Sequence, residues 1–266
     1  MLKRLAAFAA TILLGTSVAN AQKSTEDLAK ASQNPVADMI SVPFQNNTNF
    51  NVGPFNRTQD ILNIQPVIPF HLNADWNIIS RTIVPLVLQP SPTTNADIFG
   101  LGDTTETLFL SPAHPGPIIW GIGPVFTVPT ATNTITGTGK WLAGPSAVVL
   151  TMPGHWVLGV LVNNQWSFAG DGGRPSVNTG LIQPFINYNF EHGWYVTFSP
   201  IITVDWLAPA GQQWTVPIGG GVGRIFRLDK LPPMNAQISG YYNVVHPDQL
   251  ANWQLRMQLA LLFPTK

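Results

Sequence analysis

In WVLGVLVNNQWSF, residues 156–168, Trp156, Leu158, Val160, Val162, Asn164, Trp166 and Phe168 alternate with a face that includes Gly159, Asn163, Gln165 and Ser167. WYVTFSPIITVDW, residues 194–206, repeats the device, with Trp194, Val196, Phe198, Pro200, Ile202, Val204 and Trp206 on one side and Tyr195, Thr197, Ser199, Thr203 and Asp205 on the other. Period two over a dozen residues specifies strands with one apolar face and one small or polar face. The bracketing tryptophans stand 10 and 12 residues apart, both even, so each pair shares the apolar face. At ~3.3 Å per residue and a tilt near ~40°, ten residues rise roughly 25 Å, the height of the apolar band of an outer-membrane barrel.

Composition narrows the fold further. Charged residues make up 10% and hydrophobic ones 45% of the 266 residues, against roughly 25% charged in a typical soluble domain. Such a chain has too little charge to cover an ordinary water-facing surface. Residues 1–21 have the form of a signal peptide: Lys3 and Arg4 precede an apolar run from Leu5 to Leu14, and Ala19-Asn20-Ala21 offers small residues for cleavage. Beyond it no run of about 18 apolar residues exists to span a membrane as a helix. A membrane protein without spanning helices has one remaining solution, a closed barrel whose backbone groups bond from strand to strand. Without Lys3 and Arg4 the chain has two fewer basic than acidic residues, and nothing in that balance attracts nucleic acid. There is no cysteine, hence no disulfide framework.

The short segments NADW (73–76), HPGPIIW (114–120), PGHW (153–156) and EHGW (191–194) read as tight turns, their tryptophans 44, 36 and 38 residues apart, one two-stranded unit each time. Longer polar or Gly/Pro-rich stretches at 89–102, 130–139 and 169–176 lie between them. Short turns at one end and long loops at the other is the asymmetry of bacterial outer-membrane barrels. The pattern predicts strands near 39–47, 59–72, 76–88, 104–112, 118–129, 140–152, 156–168, 177–190, 194–207, 213–227, 234–245 and 252–263. The fold class is therefore all-β, a twelve-stranded antiparallel transmembrane barrel over 38–266, with ten or fourteen strands as alternatives. The last strand alternates Trp253, Leu255, Met257, Leu259, Leu261 and Phe263 with Gln254, Arg256, Gln258 and Ala260. Residues 22–37, with Ser24-Thr25-Glu26-Asp27 before Leu28 and Pro35 after, form a periplasmic lead-in able to make a short helix, either outside the barrel or as a lumen plug.

All nine tryptophans find a place in this plan. Trp76, Trp120, Trp156 and Trp194 form a girdle at the turn side, and Trp141, Trp166, Trp206, Trp214 and Trp253 form one at the loop side. The inward candidates are Asn63, Gln65, Arg81, Glu106, Gln183, Asn187, Tyr195, Asp205, Tyr241, Gln254, Arg256 and Gln258. Arg81 and Glu106 are expected at one height on adjacent strands, as a pair. Arg256 either contacts an anionic or phenolic solute, stands solvated, or pairs with Asp205. A wall of amides and phenols suits small neutral or weakly polar solutes better than an ion-selective pore, which uses charged rings.

Proline removes a ladder donor and is rare inside central strands, yet Pro66, Pro124, Pro145, Pro184 and Pro200 fall near mid-strand. Each follows an inward polar or small residue: Gln65, Gly123, Gly144, Gln183 and Ser199. Two readings stand, local bulges or a belt of carbonyls without ladder partners, satisfied by inward glutamine or lumen water.

The runs ISVPFQNN (40–47), IQPVIP (64–69), WNIISRTIVP (76–85), GLGD (100–103) and GTGKWLAGP (137–145) resemble the bacterial outer-membrane proteins named for the meta-pathway of phenol degradation, whose members also carry the labels transporter and neuromedin U. The resemblance spans nearly all of the chain after the leader. It implies an outer-membrane barrel that moves small, in part aromatic, molecules, with no catalytic motif and no cofactor.

Other motifs carry less. His71, His114, His155, His192 and His246 sit on different hairpins without HxH or HExxH spacing, so polar turn contacts are preferred to a metal. IGGGVGRIF (218–226) has glycine density without the strand-loop-helix context of a phosphate site, and GTGKW puts Trp141 where a Walker loop needs Ser or Thr. A rim hydrolase would draw on Asp171, Asp205, His246 and Asp248, but no GxSxG element occurs. The reading is a non-enzymatic channel or transporter whose partners are the lipid bilayer and a small solute, with the oligomeric state left open.

Overall fold

A computed structural model describes residues 24–264, so the leader expected over 1–21 lies outside the described residues. Twelve strands follow one helix. They are β1 (Met39–Val52), β2 (Arg57–Ile64 and Val67–His71), β3 (Trp76–Pro90), β4 (Asp97–Leu101 and Thr104–Pro112), β5 (Ile118–Val128) and β6 (Lys140–Thr151). The second half comprises β7 (Trp156–Gly170), β8 (Asn178–Asn189), β9 (Trp194–Phe198 and Ile202–Asp205), β10 (Trp214–Phe226), β11 (Met234–Val245) and β12 (Trp253–Pro264). Each strand pairs antiparallel with its sequence neighbours, and β1 pairs with β12 from Met39↔Pro264 to Phe50↔Trp253, closing the barrel.

Two strands run further toward the loop end than their composition suggests. β1 continues through Asn46–Asn49 because its alternate amides Asn47 and Asn49 point into the lumen, where they find partners. β4 begins at Asp97, beyond GLGD. At Gly102 and Asp103 the strand is interrupted, and its outward parity changes: Leu101 lies opposite Leu86, whereas Glu106 lies opposite Thr82. A side chain at Gly102 would have its Cβ 2.7 Å from Pro85 Cγ. The turns PGHW and EHGW need glycine for a different reason, since Gly154 and Gly193 hold φ of 53° and 78°, in the left-handed region.

The mid-strand prolines interrupt the ladders in a consistent way. Pro124 faces Pro145 across β5 and β6, and Pro184 on β8 lies at the gap in β9 between Ile186↔Phe198 and Ile182↔Ile202. A proline offers no N–H, so the carbonyl opposite must turn elsewhere. Leu108 O lies 1.8 Å, and Asn164 O 1.7 Å, from where a Cβ on Gly123 and Gly144 would be. The Gly-Pro pairs thus let a neighbouring carbonyl fold over the inner face, which any side chain would prevent. At Ser199, beside Pro200, the carbonyl accepts from Arg256 Nη1 at 2.9 Å and Tyr241 Oη at 3.2 Å. Both readings of the prolines therefore contribute, irregular backbone together with inward donors, although the donors here are arginine and tyrosine rather than glutamine.

Helix α1 (Thr25–Ser32) lies inside the end of the barrel that carries the short turns. Ser24 caps it, accepting from Asp27 N at 3.0 Å, with Glu26 and Asp27 in the first turn and Lys30 in the last, as the helix dipole favours. Leu28 and Ala29 are fully buried in a cluster with Met39, Tyr195, Ile225, Ala260 and Leu262. Burying a leucine in this way contributes about 1.5–3 kcal/mol. Val36, further along the same segment, packs into a second cluster of Ile79, Phe109, Ile119, Val148, Leu150, Val157, Leu161 and Phe185. The turn end of the lumen is consequently a packed core, built from inward apolar residues of β3–β8 and the N-terminal segment.

Candidate functional site

Toward the loop end, the lumen opens into a cavity of about 670 Å³. Its walls are mainly amides, hydroxyls and small apolar groups, including Asn63, Thr105, Thr107, Asn163, Gln165 and Thr203. A smaller cavity of about 160 Å³ lies beneath it, floored by Ser32, Gln33, Asn34 and Pro35 of the N-terminal segment. Four residues line both cavities: Gln45, Gln65, Arg81 and Gln183. They mark the level at which the two compartments meet.

The polar wall is cross-braced. Gln254 donates to Asn49 at 3.0 Å, Asn49 donates to Gln59 at 2.8 Å, and Gln59 donates to Gln89, so one chain of amides runs from β12 through β1 and β2 to β3. Thr127 on β5 donates to Gln165 on β7 at 2.8 Å, over the intervening strand. Asn47, Asn49, Gln59 and Gln165 thus have side-chain partners, as a low-dielectric wall requires, whereas the buried Oδ1 of Asn77 has none among the described residues.

Arg256 is 3% exposed. Its Nε donates to Asn47 at 3.1 Å, Nη1 to the Ser199 carbonyl at 2.9 Å and Nη2 to Gln254 at 3.1 Å, and the guanidinium lies 4.8 Å from the Tyr241 ring centre. It braces β12 to the interrupted β9. The pairing with Asp205 weighed from sequence does not occur: the Asp205 carboxylate accepts from Leu207 N at 3.0 Å, at the loop end of β9. Arg81 differs. Its Nη2 donates to Gln65 at 3.0 Å, and it has no ion-pair partner among the described residues.

The expected Arg81–Glu106 pair is corrected by the register. Thr82 lies opposite Glu106 and Arg81 opposite Thr107, so Glu106 occupies the outer face while Arg81 points inward. Ser80 donates to Glu106 Oε1 at 2.6 Å and Thr82 to Oε2 at 2.5 Å. Pro112, six residues from Glu106, itself lies opposite the outward Trp76. An even number of residues from an outward position returns to the outer face.

Of the other candidates, Asn63, Gln65, Gln183 and Asp205 line the larger cavity, and Gln65, Gln183, Asn187 and Gln258 the smaller one. Tyr195 is buried beside α1, its hydroxyl within hydrogen-bond reach of Asn235 Oδ1 at 2.8 Å and Gln237 Oε1 at 3.1 Å. The constriction residue Gln45 and the wall amides Asn47, Asn49, Gln59 and Gln89 were missed. The signal for Gln45, Asn47 and Asn49 was present as period-two amides in residues 45–49, and that for Gln59 in its shared parity with Asn63 and Gln65.

The outer face carries the tryptophans. Trp76 meets Trp120 edge-on at 5.8 Å and Trp156 meets Tyr188 at 4.8 Å at the turn end. Trp206 meets Trp214 at 5.7 Å and Tyr242 meets Trp253 at 4.8 Å at the loop end. Trp141, Trp166 and Trp194 are about half exposed on the same face. Two histidines hold the N-terminal segment: His155 contacts Glu26 of α1 at 3.0 Å, and His71 contacts Asp38 at 3.1 Å. Among the described residues no three His, Cys, Asp or Glu side chains gather as metal ligands. His246 bonds the Pro247 carbonyl at 2.9 Å and has no hydrogen bond to Asp171, Asp205 or Asp248, so the rim candidates form no nucleophile-base pair.

No protein-family model matches the chain, and no curated protein matches it by sequence. Solved structures do. An outer membrane channel from Pseudomonas putida F1 is similar over 85% of this chain and 94% of its own, at 14% identity and a TM-score of 0.63. At that identity the likeness establishes the fold, a twelve-stranded barrel of the outer-membrane type. Outer membrane phospholipase A from Escherichia coli covers 91% of this chain and 98% of its own, at 12% identity and a TM-score of 0.45. The Pseudomonas putida toluene transporter TodX covers 91% and 92%, at 9% identity and a TM-score of 0.41.

Proposed function

We propose that the protein is an outer-membrane channel or transporter, without enzymatic activity, for passive or facilitated passage of small, weakly polar solutes, aromatic ones among them. The observation that carries this reading is the lumen itself. A closed barrel with an apolar, tryptophan-marked outer face encloses a cavity of about 670 Å³ lined largely by uncharged polar groups, narrowing to three glutamines and an arginine. Uncharged hydrogen-bonding walls replace part of a solute's hydration without holding it as charged rings would. The resemblance to the phenol-degradation group points the same way.

In this reading the leader is removed on export, the short turns face the periplasm and the long loops face outward. The tryptophans at the two ends of the outer face lie at the two membrane interfaces. The N-terminal segment closes the periplasmic side, so passage requires it to shift. Besides apolar packing, it is held by the reciprocal Gln33–Asn189 amide pair, the Asn235–Ser32 bond and the two histidine contacts. Solute flux into vesicles containing the purified protein, changed by Gln183→Ala at the constriction, is the expected result. Absence of flux, together with hydrolysis that is lost on changing His246 or Asp248, would replace this function with an enzymatic one.

A further inference from the structure

The level where the two cavities meet contains a cation without a counter-ion among the described residues. Arg81 gives one hydrogen bond, to Gln65, and Glu106 lies on the other side of the wall. The second lumen arginine, Arg256, is fully engaged by Asn47, Gln254, Ser199 and the Tyr241 ring. Among the described residues, no aspartate or glutamate lines the smaller cavity, and the larger one has only Asp205, at the loop end. A guanidinium held in a protein wall without an acid is costly, and an anion entering the lumen removes that cost. The planar fork of arginine matches a carboxylate with two parallel hydrogen bonds, and Gln45, Gln65 and Gln183 offer amide donors at the same level. Size sets the upper limit. The smaller cavity measures about 160 Å³, and a cavity of about 150 Å³ accommodates one benzene ring.

We propose that Arg81, with Gln45, Gln65 and Gln183 around it, is an anion-binding step in the lumen, selective for compact monoanions, carboxylates above all, no larger than a single ring. This rests on the channel reading and specifies which solutes the channel favours.

The test uses the full mature chain in planar bilayers and in liposomes. Reversal potentials under gradients of potassium chloride and potassium benzoate report anion against cation permeability, and arabinose-driven swelling reports neutral flux. The wild type should favour both anions over potassium. Arg81→Gln should lower that ratio about tenfold, the factor for one 1.4 kcal/mol interaction, while Arg81→Lys retains part of it. Gln45→Glu, which adds a carboxylate to the lining that Gln45 shares with Arg81 without deleting the arginine, should remove the preference as well and decides the matter if Arg81→Gln fails to assemble. A wild type with no anion preference, or variants that keep the wild-type ratio, would overturn the anion site while arabinose flux upholds the channel. Neither current nor swelling in the wild type would overturn the channel and the anion site together.

Discussion

The two halves of the lumen are made from the same alternating strands but differ in what points inward. At the turn end Ile79, Phe109, Val148, Leu150, Val157 and Leu161 face Val36, and Tyr195, Ile225 and Leu262 face Leu28, giving a dry core of the kind found in soluble proteins. At the loop end the inward positions are Asn63, Thr105, Asn163, Gln165 and Thr203 around an open space. One strand, β7, shows the change within a few residues, from Val157 and Leu161 to Asn163 and Gln165. The division teaches that half of this barrel is stabilised by packing and half by side-chain hydrogen bonds, with the arginines and the proline-broken backbone at the boundary.

Substitutions should separate the halves by size of effect. The largest loss is expected for Arg256→Ala, which deletes three hydrogen bonds and a ring contact at the boundary: about 2–5 kcal/mol, read as a lower urea midpoint for unfolding in vesicles. Leu28→Ala in the packed half should cost about 2–4 kcal/mol from the cavity it leaves, and its solute flux should rise as the segment loosens. Gly144→Ala should cost about 1–3 kcal/mol, because the new Cβ meets the Asn164 carbonyl and forces the backbone to shift. Gln165→Ala in the open half removes one bond to Thr127 and should cost about 1 kcal/mol or less, water replacing the amide. Equal costs for Leu28→Ala and Gln165→Ala would mean that the halves do not differ in the way proposed.

Much of this architecture could be read from the residues because the side-chain period of a strand is two and tryptophan marks where the apolar band begins and ends. Hence the turns at 73–76, 153–156 and 191–194 and the strands they join coincide closely with the structure. What escaped was whatever depends on contact across the lumen. Leu28 and Ala29 stand in a mostly polar helix, and nothing local shows that Tyr195 and Leu262, more than 150 residues away in sequence, cover them. Arg256 and Arg81 look equivalent in a strand pattern, yet one reaches the carbonyl freed beside Pro200 and the other meets no acid among the described residues. Glu106 shows the hazard of counting parity from an outward reference: Pro112 lies opposite Trp76, and six residues from it the chain faces outward again.

The most direct measurement is arabinose flux into liposomes carrying the purified barrel, compared with the Leu28→Asp variant, in which a buried charge expels α1 from the turn end. Swelling faster than in protein-free liposomes for the wild type, and faster still for the variant while it retains its folded barrel, is the result expected of a channel gated by its N-terminal segment. Rates equal to those of protein-free liposomes for both proteins would contradict it.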